Sequence, residues 1–178
     1  MKLTPYTPDE IKSLLGRLEK LVRFNGAVQR FYSVAEHTSI GLWAMQQNGQ
    51  SKDAMRAFFV HDLPEAVMGI GDITRNVKNR PDVAQIVRLL EEDAFARIKP
   101  VLPFDMDTYE AVVKSYDRDM AIAEVEAVAL GIAQDSPKDY VPERHDLLRD
   151  RIHAVSCGWA TPRRLTGWAE DLWPGVLV

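Results

Sequence analysis

The chain has 178 residues, of which 46% are hydrophobic and 27% are charged, proportions that are typical of a globular protein. Its formal net charge of -4 argues against a protein that coats DNA or RNA, because such binding depends on the neutralisation of many phosphates. A small anionic substrate is still compatible with this charge, since it needs only a few local cations.

The cellular setting is predicted from the single cysteine and from the lack of long apolar runs. Cys157 has no second cysteine for an intrachain disulfide, which favours a reducing cytoplasm. The N-terminal sequence MKLTPYTPDE lacks the apolar stretch of a signal peptide. No apolar run is long enough to span a bilayer, so we expect a cytoplasmic protein.

The N-terminal half of the sequence predicts three helices joined by short loops. The first helix runs from about Pro8 to Phe24, with Thr7 and Glu10 at the spacing of a capping box. Residues 25–33 are predicted as a loop. A second helix follows this loop and ends at the segment QQNGQS.

The third predicted helix runs from about Lys52 to Val67 and ends at the glycines of the segment MGIGD. A loop over residues 69–80 follows it, and Pro81 begins the next helix at the position where proline is favoured. The apolar side of that helix is predicted to carry Val83, Ile86, Val87, Leu90 and Ala94.

The longest periodic stretch extends from Asp107 to Ile132. Beyond about residue 135 the pattern is less regular, with a helix-like segment at 142–155 and a tail that contains three tryptophans. No strand pattern competes anywhere in the chain, so the predicted fold class is all-α. The inward stripe of the long helix is predicted as Val112, Val113, Tyr116, Met120, Ala123, Ala127 and Leu130.

Four residues on three predicted helices have the chemistry of a divalent-metal site. His61 and Asp62 are adjacent in the third helix, His37 lies in the second and Asp117 lies in the long helix. Imidazole nitrogens and carboxylate oxygens together suit first-row divalent ions. Ligands from separate helices that meet at one point are a common way to build a metal site in a bundle. Ser33 is a candidate N-cap for the helix of His37.

Three aspartates near the long helix compete for the role of distant ligand. Asp117 shares a face with Val113 and Met120, which points inward, whereas Asp119 is turned away by two residue steps. Asp107 is also available. Spacing alone therefore favours Asp117 without excluding the other two.

Three separated segments resemble the HD-domain phosphohydrolases, and in particular their small bacterial and phage branch that is similar to 5'-deoxynucleotidases. The segments are FYSVAEHT at 31–38, FFVHDLPEAVMGIGDITRNVK at 58–78 and VKSYDRDMAIAEVEAV at 113–128. The resemblance implies that residues 1–178 form a single HD domain, a helical bundle with a metal site between helices. Its resembled core covers about residues 30–130, and residues 135–178 are expected to form peripheral helices and a tail.

The resemblance implies a set of metal ligands and leaves the ion open. His37, His61, Asp62 and Asp117 correspond to the ligands of the family, and they would hold one divalent metal ion, which is Mn, Co, Mg, Zn, Ni or Fe. Binuclear relatives need further histidine ligands, and the other histidines of this chain lie outside the resembled segments. A single ion is therefore expected.

Two acidic residues are candidates for proton transfer. Glu65 lies one turn after His61 in the predicted helix, where it could deprotonate the attacking water or protonate the leaving oxygen. Asp72, in the glycine-bounded loop, could share that role. The family has a shorter link at this point, and the two extra residues of MGIGD leave the placement of Asp72 open.

Substrate contacts are expected from three cations and one aromatic residue. By the resemblance, Arg30, Lys78 and Arg75 lie near the site, and such side chains suit a phosphate. Tyr32 could stack on a base. Glu124, two turns after Asp117, is expected to hold an arginine or a metal ligand in place.

These features predict a metal-dependent phosphohydrolase that converts a deoxynucleoside 5'-monophosphate to nucleoside and phosphate. The alternative enzyme is a dNTP triphosphohydrolase of the dATP type that releases triphosphate. Three phosphates should need more cations than Arg30, Arg75 and Lys78, which favours the monophosphate. A non-catalytic nucleotide-binding module and a structural helical adaptor are the remaining classes.

The expected partners follow from the same resemblance and from composition. They are a small nucleotide and further copies of the chain, in a dimer or larger homo-oligomer. We expect no nucleic-acid polymer and no membrane. The expected location is the cytoplasm of a bacterium or of a phage-infected bacterium.

Overall fold

The computed structural model of the chain describes residues 4–69, 71–129 and 141–174. Within these ranges the secondary structure is helical with two isolated bridges and no strand, which confirms the predicted all-α class. None of the helices in these ranges is long and apolar enough to cross a membrane. The α-helices are α1 (Pro8–Leu18), α2 (Val34–Gln47), α3 (Lys52–Val60), α4 (Leu63–Met68), α5 (Arg75–Lys78), α6 (Pro81–Ile98), α7 (Glu110–Ala127), α8 (Pro142–Ser156) and α9 (Leu165–Leu172).

The first helix is shorter than the apolar pattern predicts. Its N-terminus has the predicted capping box, in which Thr7 and Glu10 satisfy each other's backbone N–H groups. The helix ends at Leu18 instead of Phe24, because the following backbone bonds to residues 32–34. Arg23 N donates to Tyr32 O over 2.8 Å in this connection.

The predicted helix over Lys52–Val67 is two helices separated by a joint at His61 and Asp62. Pro64 explains the break, because it has no N–H to donate to the carbonyl four residues earlier and its ring would clash with that carbonyl. Proline is instead favoured in the first turn of a helix, which is its place in α4. The two candidate ligands therefore lie between helices and not on one helix face.

The loop predicted over residues 69–80 contains the single turn of α5, in which Val77 N and Lys78 N both donate to Thr74 O. The next helix, α6, has a narrower buried face than predicted. Ile86 and Leu90 are 60% and 38% exposed, although the helix packs on α4 and α5. The buried residues of α6 are Val87, Ala94 and Ile98.

The long helix α7 begins at Glu110, three residues later than predicted. A 3₁₀ turn at Met106–Tyr109 precedes it, and the Asp105 carboxylate accepts a hydrogen bond from Asp107 N at its start. The helix ends at Ala127, and the last predicted positions lie outside the described residues. Its inward stripe is confirmed by the burial of Val113, Tyr116, Met120 and Ala123.

The C-terminal helices belong to the core, and the expectation that they are peripheral is wrong for α8 and α9. Helix α8 packs on α7 and α2, with Leu148 and Ile152 fully buried. Trp168 of α9 and Trp173 just after it are also buried, whereas Trp159 is 76% exposed. These helices close the side of the bundle that α2 and α7 leave open.

Helix α2 lies at the centre of the bundle, where it contacts α3, α7 and α8. Its N-terminus has a capping box between Ser33 and Glu36, which agrees with the predicted cap. Gly41 lies directly against the Phe58 ring of α3, so that a Cβ atom there would overlap the ring. This close approach brings His37 on α2 next to the joint after α3.

Candidate metal centre

Three of the predicted ligands converge in the bundle. The ligand atoms of His37, His61 and Asp117 all lie within 4.8 Å of one another. Asp117 Oδ1 is 3.4 Å from His37 Nε2 and 3.8 Å from His61 Nε2. Two imidazoles and one carboxylate from three elements form a donor set that is typical of divalent transition-metal sites with open positions.

Asp62, the fourth predicted ligand, lies beside both imidazoles. Its Oδ1 is 3.2 Å from His61 Nε2 and its Oδ2 is 3.6 Å from His37 Nε2. Oδ2 is buried and has no hydrogen-bond partner among the described atoms. The joint between α3 and α4 makes this possible, since successive side chains of a continuous helix diverge by about 100°.

Hydrogen bonds on the far side of each ring orient the two histidines. His37 Nδ1 lies 2.7 Å from Glu124 Oε1, and His61 Nδ1 lies 2.5 Å from the carbonyl oxygen of Phe58. When each Nδ1 donates to its oxygen, each Nε2 presents a lone pair to the centre. Both Nε2 atoms are buried without a hydrogen-bond partner in the described structure, which is the arrangement of metal-binding histidines.

The electrostatics of the centre favour a bound positive charge. Burial and Arg23 lower the pKa of His37, but Glu124 and Asp117 outweigh them and raise it to about 10. Burial raises the pKa of Asp117, whereas its contacts with His37 and His61 bring it well below the usual value. The carboxylates that hold a proton on the His37 ring would equally stabilise a cation in its place.

Glu124 connects a buried hydrogen-bond network that includes the Nδ1 side of His37. It is fully buried and accepts hydrogen bonds from Tyr32 Oη at 2.8 Å and from an Arg23 guanidinium nitrogen at 2.9 Å, in addition to its contact with His37. Burial raises the pKa of Glu124, but Arg23 and His37 lower it to about 2. The predicted role of Glu124 in holding an arginine and a ligand agrees with these contacts.

Arg23 is a residue of the site that the sequence pattern missed. It lies in the segment LVRF, where an arginine at the end of an amphipathic helix is most simply a surface residue. In the structure it is only 7% exposed and lies between Glu124 and Asp72, 3.6 Å from Asp72 Oδ1. The apolar neighbours of Arg23 in the sequence could have indicated that it is buried. They do not indicate that its partners are Glu124 and Asp72.

Tyr32 and Arg30 are engaged with the protein itself. The Tyr32 ring is fully buried and its hydroxyl donates to Glu124, so the expectation that it stacks on a base is wrong for this structure. Arg30 donates to Glu36, to the Phe31 carbonyl and to Ser156. Its guanidinium supports the start of α2.

Glu65 has the environment of a proton-transfer group. It is 5% exposed, and its Oε2 has no hydrogen-bond partner among the described atoms. Burial, Asp62 and Asp72 raise the pKa of Glu65 to about 8, although Arg23 and Lys78 act against them. A buried carboxyl that titrates near neutral pH is suited to exchange protons with a substrate or a water.

Lys78 and Asp72 both influence the pKa of Glu65. Lys78 Nζ lies 3.3 Å from Glu65 Oε1 and 3.5 Å from Glu91, and its side chain is 30% exposed. Asp72 Oδ2 accepts a hydrogen bond from Phe24 N over 2.7 Å. Asp72 thus holds the turn that carries Arg23. The side chain of Arg75, the third cation that the sequence predicts at the site, lies outside the described residues.

The two competing aspartates lie in other contacts. Asp119 is fully buried, but it faces α8, where its Oδ2 pairs with Arg144 Nε at 2.5 Å. Asp107 pairs with Lys99 at 2.6 Å before α7 begins. Asp117 is the one of the three that approaches both histidines, as its helix face predicts.

The chain matches no family model, no curated protein and no solved structure. The geometry of the centre and the pattern of the sequence are therefore the two observations that bear on its function. Both involve the same histidines and the same acidic residues.

Proposed function

We propose that the chain is a metal-dependent phosphohydrolase of the HD superfamily that converts deoxynucleoside 5'-monophosphates to nucleoside and phosphate. The observation that carries the proposal is a pair of oriented, partnerless imidazole nitrogens beside Asp117, with the buried carboxyl Glu65 close to the same cluster. The three sequence segments that resemble the HD phosphohydrolases support it and suggest the nucleotide.

The donor set fits one divalent cation, held by His37, His61 and Asp117 with Asp62 beside them. Such a cation polarises a phosphoryl oxygen and lowers the pKa of a bound water when it is present. The tight orientation of both rings keeps the ligands in place before substrate arrives.

Glu65 is suited to move the proton of the reaction. Its free Oε2 takes a proton from water as the water oxygen forms a bond to phosphorus, and the ester P–O bond breaks. The same proton can then pass to the leaving oxygen of the nucleoside. Lys78 and Arg23 lie close enough to lower the pKa of Glu65, and Lys78 is the more exposed of the two cations and can approach a phosphate.

The proposal includes a cytoplasmic location and a homo-oligomer, both carried over from the resemblance. Its test is phosphate release by metal-stripped protein that is supplied with Mn²⁺, Co²⁺, Mg²⁺ or Zn²⁺ and offered a panel of dNMPs, NMPs and dNTPs. We expect phosphate from dNMPs. Triphosphate released from dNTPs would instead favour the alternative enzyme.

Three variants separate the roles of individual residues. His61→Ala should abolish both metal binding and turnover, whereas His153→Ala, on exposed helix surface away from the centre, should change neither. Glu65→Gln should keep the metal and lose turnover by about 10²- to 10⁴-fold, the usual contribution of a general base. Activity that survives His61→Ala unchanged contradicts the proposal.

A further inference from the structure

A cavity of about 290 Å³ opens directly against two of the three converging ligands. His61 and Asp117 form one end of it, and its walls come from α6, α7 and the 3₁₀ turn before α7. We call it the α6–α7 cavity. Its volume is at the lower end of the range for small-molecule sites, about 300–1,000 Å³.

Part of the wall of the α6–α7 cavity is apolar. Phe95 of α6, Met106 of the turn and Val113 of α7 line it. Phe95 is partly buried against the core, and Lys99 Nζ lies 5.8 Å from the centre of its ring. An aromatic ring held in this way provides a rigid surface on which a planar group can stack.

The charged residues of the cavity are already balanced. Lys99 pairs with Asp107 at 2.6 Å, and Lys114 pairs with Glu110 one turn away on α7. Two lysines and two carboxylates leave no net charge for a polyphosphate chain, which would also approach the two carboxylates. A neutral group with hydrogen-bonding edges suits this lining, because the carboxylates can accept from hydroxyl or amino groups.

Glu65 and Lys78 are absent from the lining of the α6–α7 cavity. They are on α4 and α5. A substrate whose phosphorus is at the ligand cluster can therefore have its phosphate toward Glu65 and its remaining part toward Phe95.

We infer that the α6–α7 cavity binds the deoxynucleoside part of the substrate, with the base against Phe95, an assignment that rests on the proposed phosphohydrolase function. In this arrangement the phosphate lies toward Glu65, and the lining of the cavity contacts the nucleoside alone. Phe95 is a residue that determines specificity and takes no part in bond breaking.

The test compares Phe95→Leu with Phe104→Leu. Phe104 is also half-buried and packs on the core near Met106, but it does not line the cavity, so this variant controls for lost packing. Binding of a deoxynucleoside, the reaction product, is measured by calorimetry on Mn²⁺-loaded protein. KM is measured for the dNMP and for methyl phosphate, which lacks a nucleoside.

We expect Phe95→Leu to weaken deoxynucleoside binding and to raise KM for the dNMP by about tenfold, in line with the loss of one base–aromatic stack. Methyl phosphate hydrolysis should not change, and Phe104→Leu should behave as wild type in all three measurements.

The outcomes separate this inference from the proposed function. Hydrolysis of dNMPs with the same KM in wild type and Phe95→Leu would overturn the inference and leave the function standing. If the protein hydrolyses no nucleotide but binds a nucleoside, and Phe95→Leu weakens that binding, the proposed phosphohydrolase function is overturned. The assignment of the cavity to the nucleoside then still stands. Triphosphate release with a KM that Lys99→Met raises strongly would overturn the inference, because the phosphate chain would then occupy the cavity.

Discussion

Replacement of Glu124 by glutamine tests the buried network behind the candidate metal centre. The glutamate oxygens accept from Tyr32, Arg23 and His37 at 2.7 to 2.9 Å. Glutamine has the same shape but only one oxygen, and its amide N–H groups would face donors. Arg23 would keep only the more distant Asp72, so a buried charge loses its main partner.

The magnitude follows from the burial of this charge pair. Removal of one partner of a buried ion pair costs about 3–5 kcal/mol, a large part of the roughly 5–15 kcal/mol that stabilises a typical domain. Glu124→Gln should also weaken metal binding by about 10- to 100-fold, because His37 loses the carboxylate that orients its ring.

The assay is urea unfolding of metal-free protein, followed by circular dichroism, together with Mn²⁺ titration of the folded protein. The matched control is Glu126→Gln, two residues further along α7, where the side chain is 48% exposed and pairs with His145. That variant should stay within about 1 kcal/mol of wild type, as exposed pairs do. Glu124→Gln with an unchanged urea midpoint and unchanged Mn²⁺ affinity would refute the reasoning.

The lowered pKa of Glu124 predicts that the stability of the protein depends on pH. The pKa of Glu124 is about 2 in the folded protein and 4.5 ordinarily, so the unfolded chain takes up its proton at the higher pH. The stabilisation is therefore complete above pH 4.5 and is lost as the pH falls toward 2, by up to about 3 kcal/mol. Glu124→Gln should flatten the stability profile of the metal-free protein within this window.

Three further predictions concern the surroundings of the centre. Gly41→Ala should destabilise the protein by about 1–3 kcal/mol in urea unfolding, because the new methyl group overlaps the buried Phe58 ring. Its control is Gly16→Ala on α1, where the new methyl group meets open space and should stabilise the protein by up to about 1 kcal/mol. Equal effects of the two changes would contradict this explanation. Lys78→Met should move the acidic limb of the pH–rate profile to higher pH, since Lys78 lowers the pKa of Glu65, and Lys78→Arg should restore it. Mn²⁺ at 100 times its Kd should stabilise the protein by about 2.7 kcal/mol, an effect that EDTA reverses and that would be missing if the centre binds no ion.

The parts of the fold that depend on local chemistry were predictable from the sequence. The capping box of α1 depends on two side chains three residues apart, and so does the cap at Ser33. The inward face of α7 follows from its 3.6-residue period, which also distinguished Asp117 from Asp119. The convergence of the ligand candidates needed the further sequence resemblance, because periodicity does not say which helices meet.

The parts of the fold and of the site that depend on contacts between residues far apart in the sequence were not predictable from local patterns. The exposure of Ile86 on α6 depends on which side of that helix the neighbouring elements cover, and the pattern of the helix itself does not encode this. The burial of Tyr32 and Arg23 depends on Glu124, which is about a hundred residues away. Pro64 is a local signal for the joint at His61 and Asp62. The apolar pattern continues across this joint, and it therefore predicted one helix.

The joint at His61 and Asp62 implies that substitutions and changes of length have different effects in this region. One inserted residue there would change the position of α4 relative to α3 and carry Glu65 away from the ligands, whatever the identity of the new residue. After α4 the chain is less restricted, because Gly69 ends the helix in a left-handed conformation and the Asp72 contact to Phe24 N fixes the next point. Among diverging copies of this chain, we expect insertions and deletions to accumulate after Gly69 and to be absent between α3 and α4.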